Sequence, residues 1–233
     1  KLLGDKKKAE KVPLLFPEHH LSHGASAFYP SPFEDAAILT IDGVGEWATT
    51  TICHGTGKDI KVLKELPFPH SVGLLYSAFT YYCGFKVNSG EYKLMGLAPY
   101  GLDGSEQVEF FKSVIKDKLI DLKPDGSIVL NMKYFNFATG LTMCVDELWE
   151  KAFNLPKRPE ESEIDQNYMN MALAIQQVTN EIVLKLAATA KEIKIMAHKG
   201  NFLEAGLVVV VLELVLEFGL VVVVLVVLHI FFN

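Results

Sequence analysis

Glu18-His19-His20-Leu21-Ser22-His23, with Thr40-Ile41-Asp42-Gly43-Val44-Gly45-Glu46 further along, is the part of the chain that decides both fold and chemistry. Pro17 and Pro30 bracket the first stretch, and their fixed φ and missing N–H suit the start and the end of a helix. In a helix between them His19 and His23 lie one turn apart on one face, where two imidazoles can grip one metal ion. The plain alternative is a helix with one buried and two solvated imidazoles, because His at i and i+4 is necessary for such a site but not sufficient. His20 could replace His19 at i,i+3, but it is expected to turn away or to orient a neighbour.

Asp42 ends an apolar run, Ala36 to Asp42, that reads as a central strand. Trp47 to His54 and Ile60 to Leu66 are two further strand candidates. The glycine turns Gly43-Val44-Gly45 and Gly55-Thr56-Gly57 separate the three, so an antiparallel meander is expected. The first turn is either a plain hairpin connection or a phosphate-facing loop in which Gly43, Val44 and Gly45 bring backbone N–H groups to an anion.

Val72 to Phe85 reads as a buried helix whose Tyr76, Phe79, Tyr81 and Tyr82 belong to the core rather than to a binding platform. Asn88-Ser89-Gly90 breaks it. Glu91 to Gly101 lacks a clean period and reads as a loop that shapes a site. Within it Glu91, Tyr92 and Lys93 are pocket candidates, Lys93 as a point charge for an oxyanion. A surface helix is expected from Ser105 to Leu119, a short strand from Gly126 to Leu130 and an amphipathic helix over 143–154. An acidic linker, Pro156 to Asp165, leads to the longest helical pattern, Asn167 to Lys194, with Met171, Ala174, Ile175, Val178, Ile182 and Leu186 at helical spacing.

With 233 residues, half of them apolar, the chain can bury a real core as one large domain or two small lobes. A net charge of −6, and no basic patch beyond Lys6-Lys7-Lys8 and Lys11, argue against a nucleic-acid partner. Cys53, Cys83 and Cys144 show no CxxC pairing, so neither a disulfide framework nor a thiolate zinc site is suggested, and a reducing cytoplasm is the natural compartment. The lysine-rich start shows no secretory signal. Three parts are expected: a charged leading segment over 1–13, a lobe over 14–205, and a low-complexity aliphatic tail over 206–233. The tail reads as buried strands or as unreliable residue identities. A membrane span is disfavoured there, because Glu213 and Glu217 interrupt it and Phe218 to Phe232 falls short of the roughly 18–20 residues required.

His19-His20-Leu21-Ser22-His23, Leu39-Thr40-Ile41-Asp42-Gly43-Val44-Gly45-Glu46-Trp47, Phe68-Pro69-His70-Ser71-Val72-Gly73 and Ser89-Gly90-Glu91-Tyr92-Lys93-Leu94-Met95-Gly96-Leu97-Ala98-Pro99-Tyr100-Gly101 together resemble the carbamoyltransferases of the nodulation and antibiotic-tailoring type. The resemblance covers about residues 14–190 and implies an α/β fold, an actin-like ATPase (ribonuclease H-like) lobe with a mixed sheet and flanking helices. It also implies a metal between the His-x-x-x-His helix and nucleotide phosphates, with His19, His23 and Asp42 as ligands. Two imidazoles and a carboxylate suit Fe(II), Mn(II) or Zn(II), and the resemblance favours iron. The implied reaction makes carbamoyl-adenylate from ATP and carbamoyl phosphate in a separate domain, then moves the carbamoyl group to the hydroxyl of a small-molecule acceptor. Gly43, Val44 and Gly45 are the candidate phosphate contacts, with Glu46, His70, Glu91, Tyr92 and Lys93 as pocket candidates; His70 either caps the next helix or contacts nucleotide. A homodimer is left open.

Three departures from the family pattern stand out. The preceding His-Asp-bearing motif is not in this sequence. Asn201 to Val208 is a distorted echo of the family's glycine-rich adenosine segment, and no aspartate follows Asp165 to complete the metal site. The chain is therefore expected to be an internal fragment that does not complete catalysis alone. The alternatives are a non-catalytic relic or interaction module of the same fold, and an ATP-dependent enzyme of the tRNA-modifying or hydrogenase-maturation type.

Overall fold

Residues 14–160, 162–197, 206–213 and 222–229 are described by the computed structural model. Helix α1 (His19–Phe28) runs between the two prolines as its sequence predicts. The meander follows: β1 (Asp35–Ile41), β2 (Ala48–Thr56) and β3 (Asp59–Pro67), each antiparallel to the one before. Helices α2 (Val72–Tyr82), α3 (Glu91–Leu97) and α4 (Glu106–Val114) come next, then a two-stranded ribbon of β4 (Ile120–Leu122) and β5 (Ile128–Leu130). Helices α5 (Asp146–Phe153) and α6 (Gln166–Ala197) lead to β6 (Gly206–Glu213) and β7 (Val222–His229). The aliphatic tail thus supplies strands, and the main sheet has the order β3-β2-β1-β6-β7. Strand β6 runs parallel to β1, and β7 antiparallel to β6.

Strand β1 is covered on both sides, as its unbroken apolar run requires. Alternate residues of a strand point to opposite faces, and the two sets here have different neighbours. Ala37, Leu39 and Ile41 join the main core, built with α2 and α6. Ala36 and Ile38 join a smaller cluster with Ala27 and Phe28 of α1 and Cys53 of β2. Thr40 and Asp42 continue this second row. The buried residues of α1, namely His20, Gly24, Ala27 and Phe28, recur at helical spacing and lie on that face. Gly55 on β2 lies directly under the Phe28 ring, where an added Cβ would come within 2.8 Å of ring carbon. Gly55→Ala is expected to cost about 1–3 kcal/mol by overpacking, measurable as a lower urea midpoint.

Long helix α6 buries Met171, Ala174, Ile175, Val178, Ile182 and Leu186, the stripe its spacing predicts. Trp149 of α5 is fully buried, 4.7 Å from Phe79, 5.1 Å from Tyr82 and 5.5 Å from Phe153 between ring centroids. Its indole N–H donates to the Tyr134 carbonyl at 2.9 Å, so the polar atom is satisfied inside the core. Tyr76, Phe79 and Tyr82 are core residues as expected, and Tyr81 is half-buried. The three cysteines are free and buried, and burial pushes each thiol above its ordinary pKa, Cys83 up to about 12.

Two expectations are corrected. Glu91 to Gly101 is not a loop: α3 runs over Glu91–Leu97 and a 3₁₀ turn follows over Ala98–Tyr100. Leu94 and Ala98 are fully buried and Leu97 packs beside them, an i, i+3, i+4 row too short to show a period. The stretch from Pro156 to Asp165 is also more than a linker, because its Arg158 is 3% exposed. The guanidinium donates to the carbonyls of Cys83 (2.6 Å), Gly84 (3.2 Å) and Ser162 (2.5 Å). It thereby caps the C-terminal end of α2, where a helix carries partial negative charge. Among the described residues no helix is long and apolar enough to cross a membrane.

Candidate metal centre

Thr40 and Asp42 extend from β1 toward α1, and the first turns of that helix meet them. His19 Nε2 lies 2.5 Å from Asp42 Oδ2, and His23 Nε2 lies 2.8 Å from His19 Nε2 and 3.6 Å from the same carboxylate oxygen. The three donor atoms fall within 4.8 Å of one another, the one such group among the described residues. Asp42 is 4% exposed. Burial alone would raise its pKa, but the facing imidazoles of His23 and His19 and the hydrogen bond from the Gly43 N–H outweigh it and hold the carboxyl at about 2.

This cluster has too few protons for its contacts. His19 Nε2 carries at most one hydrogen, and both Asp42 Oδ2 and His23 Nε2 lie within hydrogen-bond distance of it. One straight hydrogen bond can form, and the second close contact is left without one. A cation that takes a lone pair from each atom satisfies all three at once. The donor set therefore fits a divalent transition metal, with two imidazoles and one carboxylate.

His20 lies between His19 and His23 in sequence but is built into the sheet. Its Nε2–H donates to the Ala48 carbonyl at 2.8 Å, and its Nδ1 pairs with Thr40 Oγ1 at 2.6 Å. Burial lowers the His20 pKa, so the ring is neutral and Nδ1 accepts from the Thr40 hydroxyl. Thr51 donates to Thr40 in turn, at 2.7 Å. Both ring nitrogens are occupied, which removes His20 from the ligand set.

The glycine turn serves the same packing. Gly43 N–H points back to Asp42 Oδ1 at 2.6 Å, so it does not face outward as a phosphate donor. Gly45 has φ +58°, and a Cβ there would sit 2.5 Å from the Ala48 carbonyl and 2.8 Å from His20 Nε2. Val44 and Glu46 are exposed beside it. Beneath the turn, the Ser71 hydroxyl donates to the Gly43 carbonyl (2.6 Å), with the Asp42 carbonyl 3.1 Å from the same oxygen, and accepts from Leu74 N–H, capping α2. Ser71→Ala is expected to lower stability by about 1–2 kcal/mol, read by thermal unfolding, because it removes both the cap and the support of the turn.

The remaining pocket candidates separate. His70 does not cap α2, since Ser71 does; its Nδ1 accepts from Leu130 N–H on β5 at 3.1 Å. Glu91 is 3% exposed and turned inward, where it accepts from Ser77 Oγ (2.8 Å), Asn88 N (3.1 Å) and Gly90 N (3.2 Å). It starts helix α3 rather than lining a pocket. Tyr92 and Lys93 are exposed on the next positions of that helix. Thr40, Ser71 and Arg158 had no assigned role in the sequence. For Ser71 a signal was present, a serine just before an apolar helical run.

Comparison with known proteins follows the same stretch. The family model described as carbamoyltransferase N-terminus matches residues 1–211. This chain belongs to that family. Over 190 residues, 82% of this carbamoyltransferase-family chain, it is 55% identical to the uncharacterized protein sll1178 of Synechocystis sp., and the match spans 30% of that protein. Nodulation protein NolNO of Sinorhizobium fredii is 49% identical over 86 residues, 37% of this chain and 12% of NolNO. Nodulation protein NolO of Bradyrhizobium diazoefficiens is 41% identical over 83 residues, 36% of this chain and 15% of NolO. The chain thus spans less than a third of the length of these curated relatives.

Proposed function

We propose that this chain is the metal- and nucleotide-binding part of an O-carbamoyltransferase. The parent would move a carbamoyl group from carbamoyl-adenylate, made from carbamoyl phosphate and ATP, to a hydroxyl of a small-molecule acceptor. The carrying observation is the convergence of His19, His23 and Asp42 in a chain matched to the carbamoyltransferase N-terminus. An actin-like lobe is consistent with the meander β1-β2-β3 and with the parallel neighbour β6 at its far side.

In this reading His19 and His23 offer their Nε2 lone pairs and Asp42 offers Oδ2. Fe(II) is the first choice of ion, with Mn(II) or Zn(II) as alternatives; when bound, such an ion supplies Lewis acidity toward phosphate and carbonyl oxygens. Asp42 contributes a carboxylate kept ionised by its hydrogen bonds. Gly43 uses its N–H to fix that carboxylate, and Ser71 fixes the carbonyls of the turn, so the ligand is oriented before any ion arrives. Glu46 and Val44 stand exposed on the same turn, placed to meet whatever approaches the ligands.

Metal analysis of protein purified without chelator tests the assignment. About one transition-metal ion per chain is expected from a three-ligand site of this kind. No metal, even after anaerobic reconstitution with Fe(II), would overturn it.

A further inference from the structure

We propose that His20 is a positioning residue that selects the metal-ligand pair: by pinning α1 to the sheet through both ring nitrogens, it leaves His19 and His23, and not itself, facing Asp42. The inference rests on the metal reading above and deepens it. The tandem His19-His20 offers two ways to pair with His23, at i,i+4 or at i,i+3, and helix geometry permits both. What distinguishes them is the environment of the second ring. His20 is 5% exposed and lies between two strands, held by Thr40 of β1 and by the Ala48 carbonyl at the start of β2. Its ring centroid is 5.5 Å from that of His19 and 6.2 Å from that of His23, and a rotation of α1 about its axis by about 50°, half the angle between adjacent residues, would exchange the roles.

The pin also reaches the turn that carries Asp42. Ala48 follows Gly45 and Trp47 in the return path from Asp42, and Gly45 packs against His20 Nε2 without room for a side chain. The Asp42 N–H donates to the Thr49 carbonyl at 2.8 Å, closing that hairpin one residue beyond Ala48. His20 therefore ties together the two pieces that must meet, the helix bearing two ligands and the turn bearing the third. Ligand-orienting contacts outside the first coordination sphere typically carry a 10–100-fold effect on metal affinity.

The test is titration with Co(II) alone, read by its visible absorption and by affinity, beside thermal unfolding of each variant. His20→Leu keeps a comparable volume and removes both hydrogen bonds; His20→Gln keeps a donor near the Nε2 position. We expect His20→Leu to lose roughly tenfold or more in Co(II) affinity and to change the absorption band, and His20→Gln to recover most of both. Equal affinity and an unchanged band in His20→Leu would overturn the proposal. An equal loss in both variants would overturn it as well, because the shape of the ring rather than the donor bond to Ala48 would then be at work. If His20→Leu does not fold, Thr40→Val decides, since it takes only the hydroxyl from the pin: weaker Co(II) binding supports the proposal and wild-type binding overturns it. A wild-type chain that binds no Co(II) overturns the metal reading itself, a result distinct from all of these.

Discussion

Asp42→Asn is expected to reduce metal content from about one ion per chain to background, with the fold retained in circular dichroism. The carboxylate is the sole anionic donor in the group, and it faces both imidazoles from a buried strand end. An amide in its place offers a neutral oxygen and, in the other orientation, a pair of N–H donors that repel a cation. His23→Ala should have the same effect by a different route, leaving one imidazole and one carboxylate, too few to hold a divalent ion against water. Both variants are read by elemental analysis and by Co(II) titration. Retention of metal in either would show that the ligand set is wrong.

Arg158→Met is expected to be the most destabilising of the substitutions discussed, by about 3–5 kcal/mol. The methionine preserves much of the stem but abandons the buried carbonyls of Cys83 and Gly84 and the part-buried carbonyl of Ser162. Each buried acceptor left without a donor costs about 1–3 kcal/mol, and a domain of ordinary stability has about 5–15 kcal/mol in all. Arg158→Lys should rescue only part, because a single ammonium cannot reproduce the fork of a guanidinium. A urea midpoint unchanged within error in Arg158→Met would refute this account of how the C-terminal end of α2 is held.

Much of this architecture is legible in the sequence. Helix α1, the three-strand meander and the stripe on α6 announce themselves through proline brackets, glycine turns and regular apolar spacing. The meeting of His19, His23 and Asp42 is legible in part: i,i+4 spacing places the two imidazoles on one helical face, whereas Asp42 is added by the family resemblance and not by spacing. Other features depend on partners distant in sequence. Glu91 reads as a pocket candidate on a loop, yet its carboxylate meets Ser77 and the backbone of Asn88 and Gly90, and so begins a helix. Arg158 stands in a charged, proline-bearing stretch where nothing local signals that it will be buried against α2. The valine runs of β6 and β7 carry no period, so pairing partners and direction follow only from tertiary arrangement. The role of Gly45 likewise lies in its closeness to His20, a contact between residues of different elements.

Strand β1 carries two separate instructions on alternate residues, one addressed to the main core and the other to the histidine helix. A deletion or insertion of one residue between Ala36 and Ile41 would exchange the two messages: Leu39 and Ile41 would be sent toward the imidazoles, and Asp42 into hydrocarbon. Such a frameshift of the strand could not spare the core while separating Asp42 from His19 and His23, or the reverse. The length of this strand is therefore as critical to the core as it is to the meeting of those three side chains.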